Sequence, residues 1–294
     1  MKAPFPWFGG KSRAAPAVWG ALGDVGSYVE PFAGSLAVLL ERPAGHTGRG
    51  EIVNDLDGMI ANFWRAMAWD GDAVARAADW PVIQVDMRAR WDDLESRRAG
   101  MTERLRADPR WYDAEAAGWW VWGQSASVGA NWLHGYDARP HAGRQGVHSA
   151  AGVDRLRAVA ARMRGVDVWC ADWAAPLTDG ATSAASTVGV FLDPPYGDSR
   201  AAGCYLEDSP SVHRDVIDWC RSARPTWRVV VAGYDGENDA LDAIGWGRRL
   251  WVPPAGGMAG RADGRGRANR RREVLWCSPA CLPEAAPGLF AVLA

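Results

Sequence analysis

The segment Asp193-Pro194-Pro195-Tyr196 joins a carboxylate, two residues without a backbone N–H, and an aromatic ring. It follows the apolar run Val188-Gly189-Val190-Phe191-Leu192, which reads as a buried strand stopped by a breaker. Each proline fixes its own φ and pushes the residue before it toward extended geometry, so the loop cannot fold back as helix. Carbonyl oxygens here face outward without local N–H partners. With the Asp193 carboxylate they offer acceptors beside the flat face of Tyr196. Such a lip suits a planar ring carrying an exocyclic amino group, as adenine or cytosine does. The plain alternative is a strand-ending Asp in a proline-rich turn.

Four further segments carry candidate chemistry. In Pro6-Trp7-Phe8-Gly9-Gly10-Lys11, paired glycines let a backbone approach a ligand closely, and Lys11 could hold a carboxylate. In Tyr28-Val29-Glu30-Pro31-Phe32-Ala33-Gly34-Ser35 a strand runs into a glycine-containing turn and then a helix. This is the first strand–helix unit of a nucleotide-binding sheet, although it lacks the G-x-G-x-x-G of a dinucleotide site. About twenty residues on, Asp55 ends the strand Ile52-Val53-Asn54, where an acid fits ribose hydroxyls. It could equally cap the helix that follows. Asp172-Trp173 closes a third strand and could hydrogen-bond and stack a purine. The alternative is a capping Asp beside a core Trp.

The elements that must position these residues follow from hydrophobic pattern. Short apolar runs at 28–30, 51–53, 166–169, 188–192 and 229–231 read as parallel strands. Helical spacing appears at 36–42, 56–68, 153–163 and 212–221. Strand–helix alternation of this kind predicts an α/β fold, a Rossmann-like doubly wound sheet. Open sheets of that type bind ligands outside the carboxyl ends of their strands, which puts Glu30, Phe32, Asp55, Asp172 and Asp193 on one edge. From 72 to 150 the alternation stops. Ile83, Met87, Trp91, Leu94, Met101 and Leu105 fall on one helical stripe, and a polar Gly/His/Arg stretch follows at 135–149. The expected organisation is a core of 1–71 and 151–294 with a mostly helical insertion at 72–150. Late runs at 250–252 and 274–276 suggest a hairpin around a basic loop.

That loop is the main charge feature. Net charge is −2, so there is no global attraction to polyanions, but 261–272 holds Arg261, Arg265, Arg267, Arg270, Arg271 and Arg272 against Asp263 alone. It reads as a phosphate contact or as a solvated charge run. Only Lys2 and Lys11 are lysines, which singles out Lys11 as a place where arginine does not substitute. The five cysteines are odd in number and scattered, which fits a reducing, cytoplasmic setting. Cys277-x3-Cys281 has no second ligand pair, so no metal is expected. No apolar run is long enough for a membrane span, and the N-terminus lacks a signal-peptide core.

Taken together, Trp7-Phe8-Gly9-Gly10-Lys11, Val29-Glu30-Pro31-Phe32-Ala33-Gly34, Asn54-Asp55, Asp172-Trp173 and Asp193-Pro194-Pro195-Tyr196, in this order, resemble the adenine-N6 DNA methyltransferases of the bacterial Dam class and their phage relatives. The resemblance is strong over these segments and thin elsewhere. It implies S-adenosylmethionine as cofactor and double-stranded DNA as partner. By it, Trp7 and Lys11 line the methionine end, Phe32 the sulfonium side, Asp55 the ribose and Asp172 the adenine. Gly9, Gly10, Glu30, Pro31, Gly34, Trp173 and Asp193 complete the cofactor set. Asp193 and the Pro194 carbonyl, in the Asp193–Tyr196 catalytic motif with Pro195, accept from the target amino group, and Tyr196 stacks on the flipped base. The helical insertion becomes the target-recognition region, and a self-protective, regulatory or anti-restriction role all fit. Cytosine-N4 methylation and a catalytically degenerate DNA-binding protein are the competing readings. The chain departs from the family pattern at Leu36, where a second glycine is usual, so the turn is expected to be tighter or displaced. The family's recognition hairpin is not evident either, so no target sequence carries over.

Overall fold

A computed structural model describes residues 1–7, 10–48, 50–126, 150–182, 187–195, 211–250 and 273–284. The elements run α1 (Ala15–Leu22), β1 (Ser27–Glu30), α2 (Ala37–Leu40), β2 (Gly50–Asn54), α3 (Gly58–Ala78), α4 (Gln84–Ala107), α5 (Ala114–Ala126) and α6 (Ala150–Met163). They continue as β3 (Asp167–Trp169), α7 (Asp179–Thr182), β4 (Val188–Leu192), α8 (Val212–Ser222), β5 (Arg228–Tyr234), α9 (Asp239–Asp242), β6 (Gly247–Leu250) and β7 (Glu273–Cys277). The seven strands form one mixed sheet in the order β3-β2-β1-β4-β5-β7-β6. β1 to β5 are parallel, and β7 runs antiparallel between β5 and β6. The first five strands thus follow the order of a doubly wound sheet, reversing direction between β1 and β4.

Side chains alternate cleanly across this sheet. Val188, Val190 and Leu192 of β4, with Val229 and Val231 of β5, join one buried cluster beneath α8 and α9. Phe191, Val230 and Ala232 face the other cluster, built by α1 to α6. Both faces are therefore covered, which is why these strands read as continuous apolar runs. β6 differs: its Gly247-Arg248-Arg249-Leu250 is polar and largely exposed. Arginines suit an exposed edge because they oppose pairing with another chain. The hairpin partner therefore lies at 247–250 instead of the expected 250–252, and Trp251 and Val252 fall outside the described residues.

The helical region after β2 is a layer on the sheet. α3 runs unbroken past residue 72 apart from a kink at Asp70 (φ −144°). Met87, Leu94, Met101 and Leu105 of α4 are buried as the stripe predicts, whereas Ile83 sits at the helix N-cap and is exposed. Phe63 and Trp64 of α3 meet Trp120 of α5 and Phe5 with ring centroids 4.8–5.8 Å apart. Such offset and edge-on contacts add to the large area these rings remove from water. Described α4 and α5 residues share their cluster with sheet residues Tyr28, Val53 and Phe191.

Two polar side chains lock the layer in place. Arg65, 2% exposed, donates to the carbonyls of Val168, Leu105, Asp108 and Trp111 at 3.0–3.2 Å. One guanidinium thus ties α3, β3 and the α4–α5 connection. Asn62 donates to Asp113 O and accepts from Asp113 N–H, both at 2.8 Å, fixing the start of α5.

Candidate active site at the carboxyl ends of the strands

The chain leaves β1 through a tight turn. Gly34 has φ 44° and Leu36 has φ 49° with ψ 34°. Gly34 needs its missing side chain twice over. Its backbone is left-handed, and a Cβ would come 2.7 Å from the Trp7 indole nitrogen. Leu36 takes the same left-handed conformation, the only non-glycine to do so among the described residues. The leucine adopts the backbone a glycine would, at a strain of roughly 1–2 kcal/mol. Its side chain is fully buried in the core beneath α2, which offsets that strain.

Neighbouring strand ends hold the turn. Asp55 Oδ2 accepts the Gly34 N–H at 2.9 Å and its Oδ1 accepts the Asp57 N–H at 3.0 Å. The helix cap, the alternative role for Asp55, belongs instead to Asp57, which accepts the Met59 N–H at 2.8 Å. The Trp64 indole donates to Gly34 O at 2.8 Å. Asn54, 1% exposed, acts as a clip across three segments. It donates to Pro31 O and Ala171 O, both at 3.1 Å, and accepts the Ala171 N–H at 2.9 Å. The ends of β1, β2 and β3 are thereby fixed to one another.

These ends surround a cleft with about 1020 Å³ of space free of protein atoms, part of it open to solvent. That is the upper end of the range for small-molecule sites. Trp7, Gly10, Lys11, Glu30, Pro31, Phe32, Gly34, Asp55, Asp172, Trp173, Asp193 and Pro195 all line it. Pro194 is buried and is not among the lining residues. Gly9, Tyr196 and the arginines 261, 265, 267, 270 and 271 lie outside the described residues. Ser35, Ile60, Phe191 and Val212 also line the cleft and were not anticipated. Ile60 and Val212 stand in helical stripes that read as core, so only the fold reveals that they line the cleft. Asn54 was visible as a strand end but not as a clip.

The electrostatics are acidic. Among the described residues, four carboxylates (Asp55, Asp57, Asp172 and Asp193) and the buried carboxyl of Glu30 line the cleft against the ammonium of Lys11. Lys11 is 3% exposed, and its Nζ lies 3.1 Å from Asp193 Oδ2. The carboxylate that Lys11 holds is thus the one at the end of β4. Phe32 and Trp173 lie nearly parallel, 18° apart with centroids 6.0 Å apart. Asp172 Oδ1 accepts the Ala174 N–H at 2.9 Å, turning the chain beneath Trp173.

Glu30 is buried under the cleft, and its Oε2 accepts the Tyr28 hydroxyl at 2.8 Å. Burial pushes its carboxyl up to about 8. The nearby Asp193 and Glu51 charges add to this, and the bonds from Tyr28 and the Leu39 backbone oppose it. The folded state therefore keeps a proton that the unfolded chain has already released. Stability should fall as pH rises from the unfolded value near 4.5 to about 8, and the loss is complete above that. The slope is ~1.4 kcal/mol per pH unit within the window. Glu30→Gln keeps the shape without the charge, so its urea midpoint should vary less between pH 5 and 8 and exceed wild type at pH 8. Parallel midpoint curves for the two proteins would show that Glu30 does not carry the effect.

A scan of the sequence against protein-family models finds no match, and a search of curated proteins finds none. Among the described residues no helix is long and apolar enough to cross a membrane, and no group of three His, Cys, Asp or Glu side chains could hold a metal ion.

Proposed function

We propose that this chain is an S-adenosylmethionine-dependent methyltransferase acting on the N6 amino group of adenine in double-stranded DNA. One observation carries the reading. Residues from five separate sequence segments, all singled out by the same resemblance, line a single cleft outside the carboxyl ends of β1 to β4. That is where open α/β sheets place their ligands, at the point where strand order reverses.

The residues present fit the cofactor. An acidic cleft suits a ligand that carries a sulfonium and an ammonium. Among the described lining residues Lys11 is the cation that could meet a carboxylate, and the faces of Phe32 and Trp173 suit an adenine ring. Asp55 and Asp172 supply acceptors for hydroxyl and amino groups. The turn after β1 reads Pro31-Phe32-Ala33-Gly34-Ser35 and not G-x-G-x-x-G, so a dinucleotide fits less well. When bound, S-adenosylmethionine supplies a methyl group activated by its sulfonium.

The chain's own groups then act on the base. An adenine amino nitrogen is a poor nucleophile because its lone pair is delocalised into the ring. Asp193 accepts one amino N–H, and this favours the pyramidal nitrogen; the Pro194 carbonyl, the second acceptor that the resemblance implies, belongs to a residue that is buried and does not line the cleft. Lys11 positions Asp193 through their ion pair. Taking the base out of the duplex costs a few kcal/mol, part of which stacking on Tyr196 would return. The basic segment 261–272 and the helical layer would face the DNA.

Calorimetry with S-adenosylmethionine, followed by transfer of labelled methyl to unmethylated DNA and analysis of the digested nucleosides, tests the reading. The expected result is a binding heat and N6-methyladenine. N4-methylcytosine would redirect the base specificity, and absence of binding would reject the assignment.

A further inference from the structure

On the edge of the sheet opposite the cleft, β7 delivers two thiols to one place. Because β7 runs antiparallel to β5, its last residue Cys277 pairs with Val230 near the start of β5. The chain then turns at once. Ser278 N–H donates to Val229 O at 2.8 Å, and Cys281 N–H closes on Ser278 O at 2.9 Å. This turn returns Cys281 to the same buried cluster, which contains Cys277 and against which Cys281 packs. The Cys281 Sγ also lies 3.6 Å from Ser278 Oγ and 3.4 Å from Val229 O. Cys277 is buried, whereas Cys281 is partly exposed. Neither lines the cleft, and methyl transfer needs neither.

We propose that Cys277 and Cys281 form a reversible dithiol–disulfide couple that exchanges with low-molecular-weight disulfides. Cys281 is the entry point because solvent reaches it. The hydrogen bond from Cys277 lowers its proton affinity, with help from Ser278 and the Arg249 charge and against the effect of burial. Its thiolate attacks one sulfur of a disulfide R–S–S–R, forming a mixed disulfide and releasing one R–S⁻, which takes up a proton. The Cys277 thiol, giving up its proton, then attacks the Cys281 sulfur and displaces the second R–S⁻, which takes up that proton. The protein loses two protons and two electrons, and R–S–S–R becomes two R–SH. Cys170 and Cys220 provide an internal contrast. Both are buried single thiols whose proton affinity burial raises, so they should stay reduced.

Trypsin makes the test direct, because the peptide 273–294 contains both cysteines and no Lys or Arg. The reduced, folded full-length protein is incubated with oxidised glutathione, alkylated, digested and weighed. The expected result is a 273–294 peptide lighter by two hydrogens and free of alkyl groups, while the Cys170 and Cys220 peptides are alkylated. Reduction should restore two alkylation sites. Cys277→Ser should stop at a glutathione adduct on Cys281, and Cys281→Ser should take up little glutathione. A wild-type peptide that carries two alkyl groups would overturn the couple. So would one that carries a glutathione adduct to the same extent as Cys277→Ser, since the second sulfur would then not reach the first.

Discussion

Asp193→Asn should lower kcat for methyl transfer ~10²–10³-fold while leaving S-adenosylmethionine affinity within a few fold of wild type. Asn keeps the size of the side chain but loses its charge and turns one acceptor into donors. Only the amino group undergoing reaction needs that acceptor, so the loss belongs in kcat more than in binding. The ion pair gives the experiment a second arm. Lys11 Nζ stands 3.1 Å from Asp193 Oδ2 at a site only 4% exposed on the lysine side. If Lys11 acts by positioning Asp193, Lys11→Met alone should also lower kcat. The two changes together should then cost much less than the product of the single effects. Wild-type turnover by Asp193→Asn would remove the acceptor from the mechanism, and fully multiplicative losses would separate Lys11 from it.

Arg65→Ala should be the most damaging single change to the fold, at ~3–5 kcal/mol. Four backbone carbonyls from two distant stretches of chain, β3 and residues 105–111, would lose their donor, and a buried volume would empty. Arg65→Lys should recover little, since one ammonium cannot reproduce a planar fork of donors. Chemical denaturation monitored by tryptophan fluorescence reads this directly. A loss under ~1 kcal/mol would mean that water replaces the guanidinium at those carbonyls.

Much of this architecture is legible in the sequence because parallel strands buried on both faces declare themselves as apolar runs. The runs 28–30, 51–53, 188–192 and 229–231 each overlap an observed strand, and the acids that follow the first four strands meet in one cleft. Position in the chain suffices for them, since every parallel strand ends on the same side. What pattern could not supply were contacts between distant segments. Nothing near Lys11 specifies Asp193 as its partner. Nothing at Asn54 announces that it grips Pro31 and Ala171 together. Asp57 displaced Asp55 as the helix cap because Asp55 was already engaged by the Gly34 turn. The apolar pattern puts the hairpin strand a few residues after β6, because an exposed arginine edge has no apolar signature.

The left-handed leucine between the cleft-lining Ser35 and Ala37 bears on how the molecule assembles and loosens. No local preference favours that backbone at Leu36, so an excised peptide would abandon it. Only the condensed interior, with Leu36 packed in the cluster that contains Phe63 and Trp64, holds it there. The rim of the ligand site must then mature after the interior rather than template it. It would also be an early part to relax when distant helices are perturbed. Recognition and rigidity are thus linked through one residue, and ligand affinity should report on the condition of the interior well before the chain unravels.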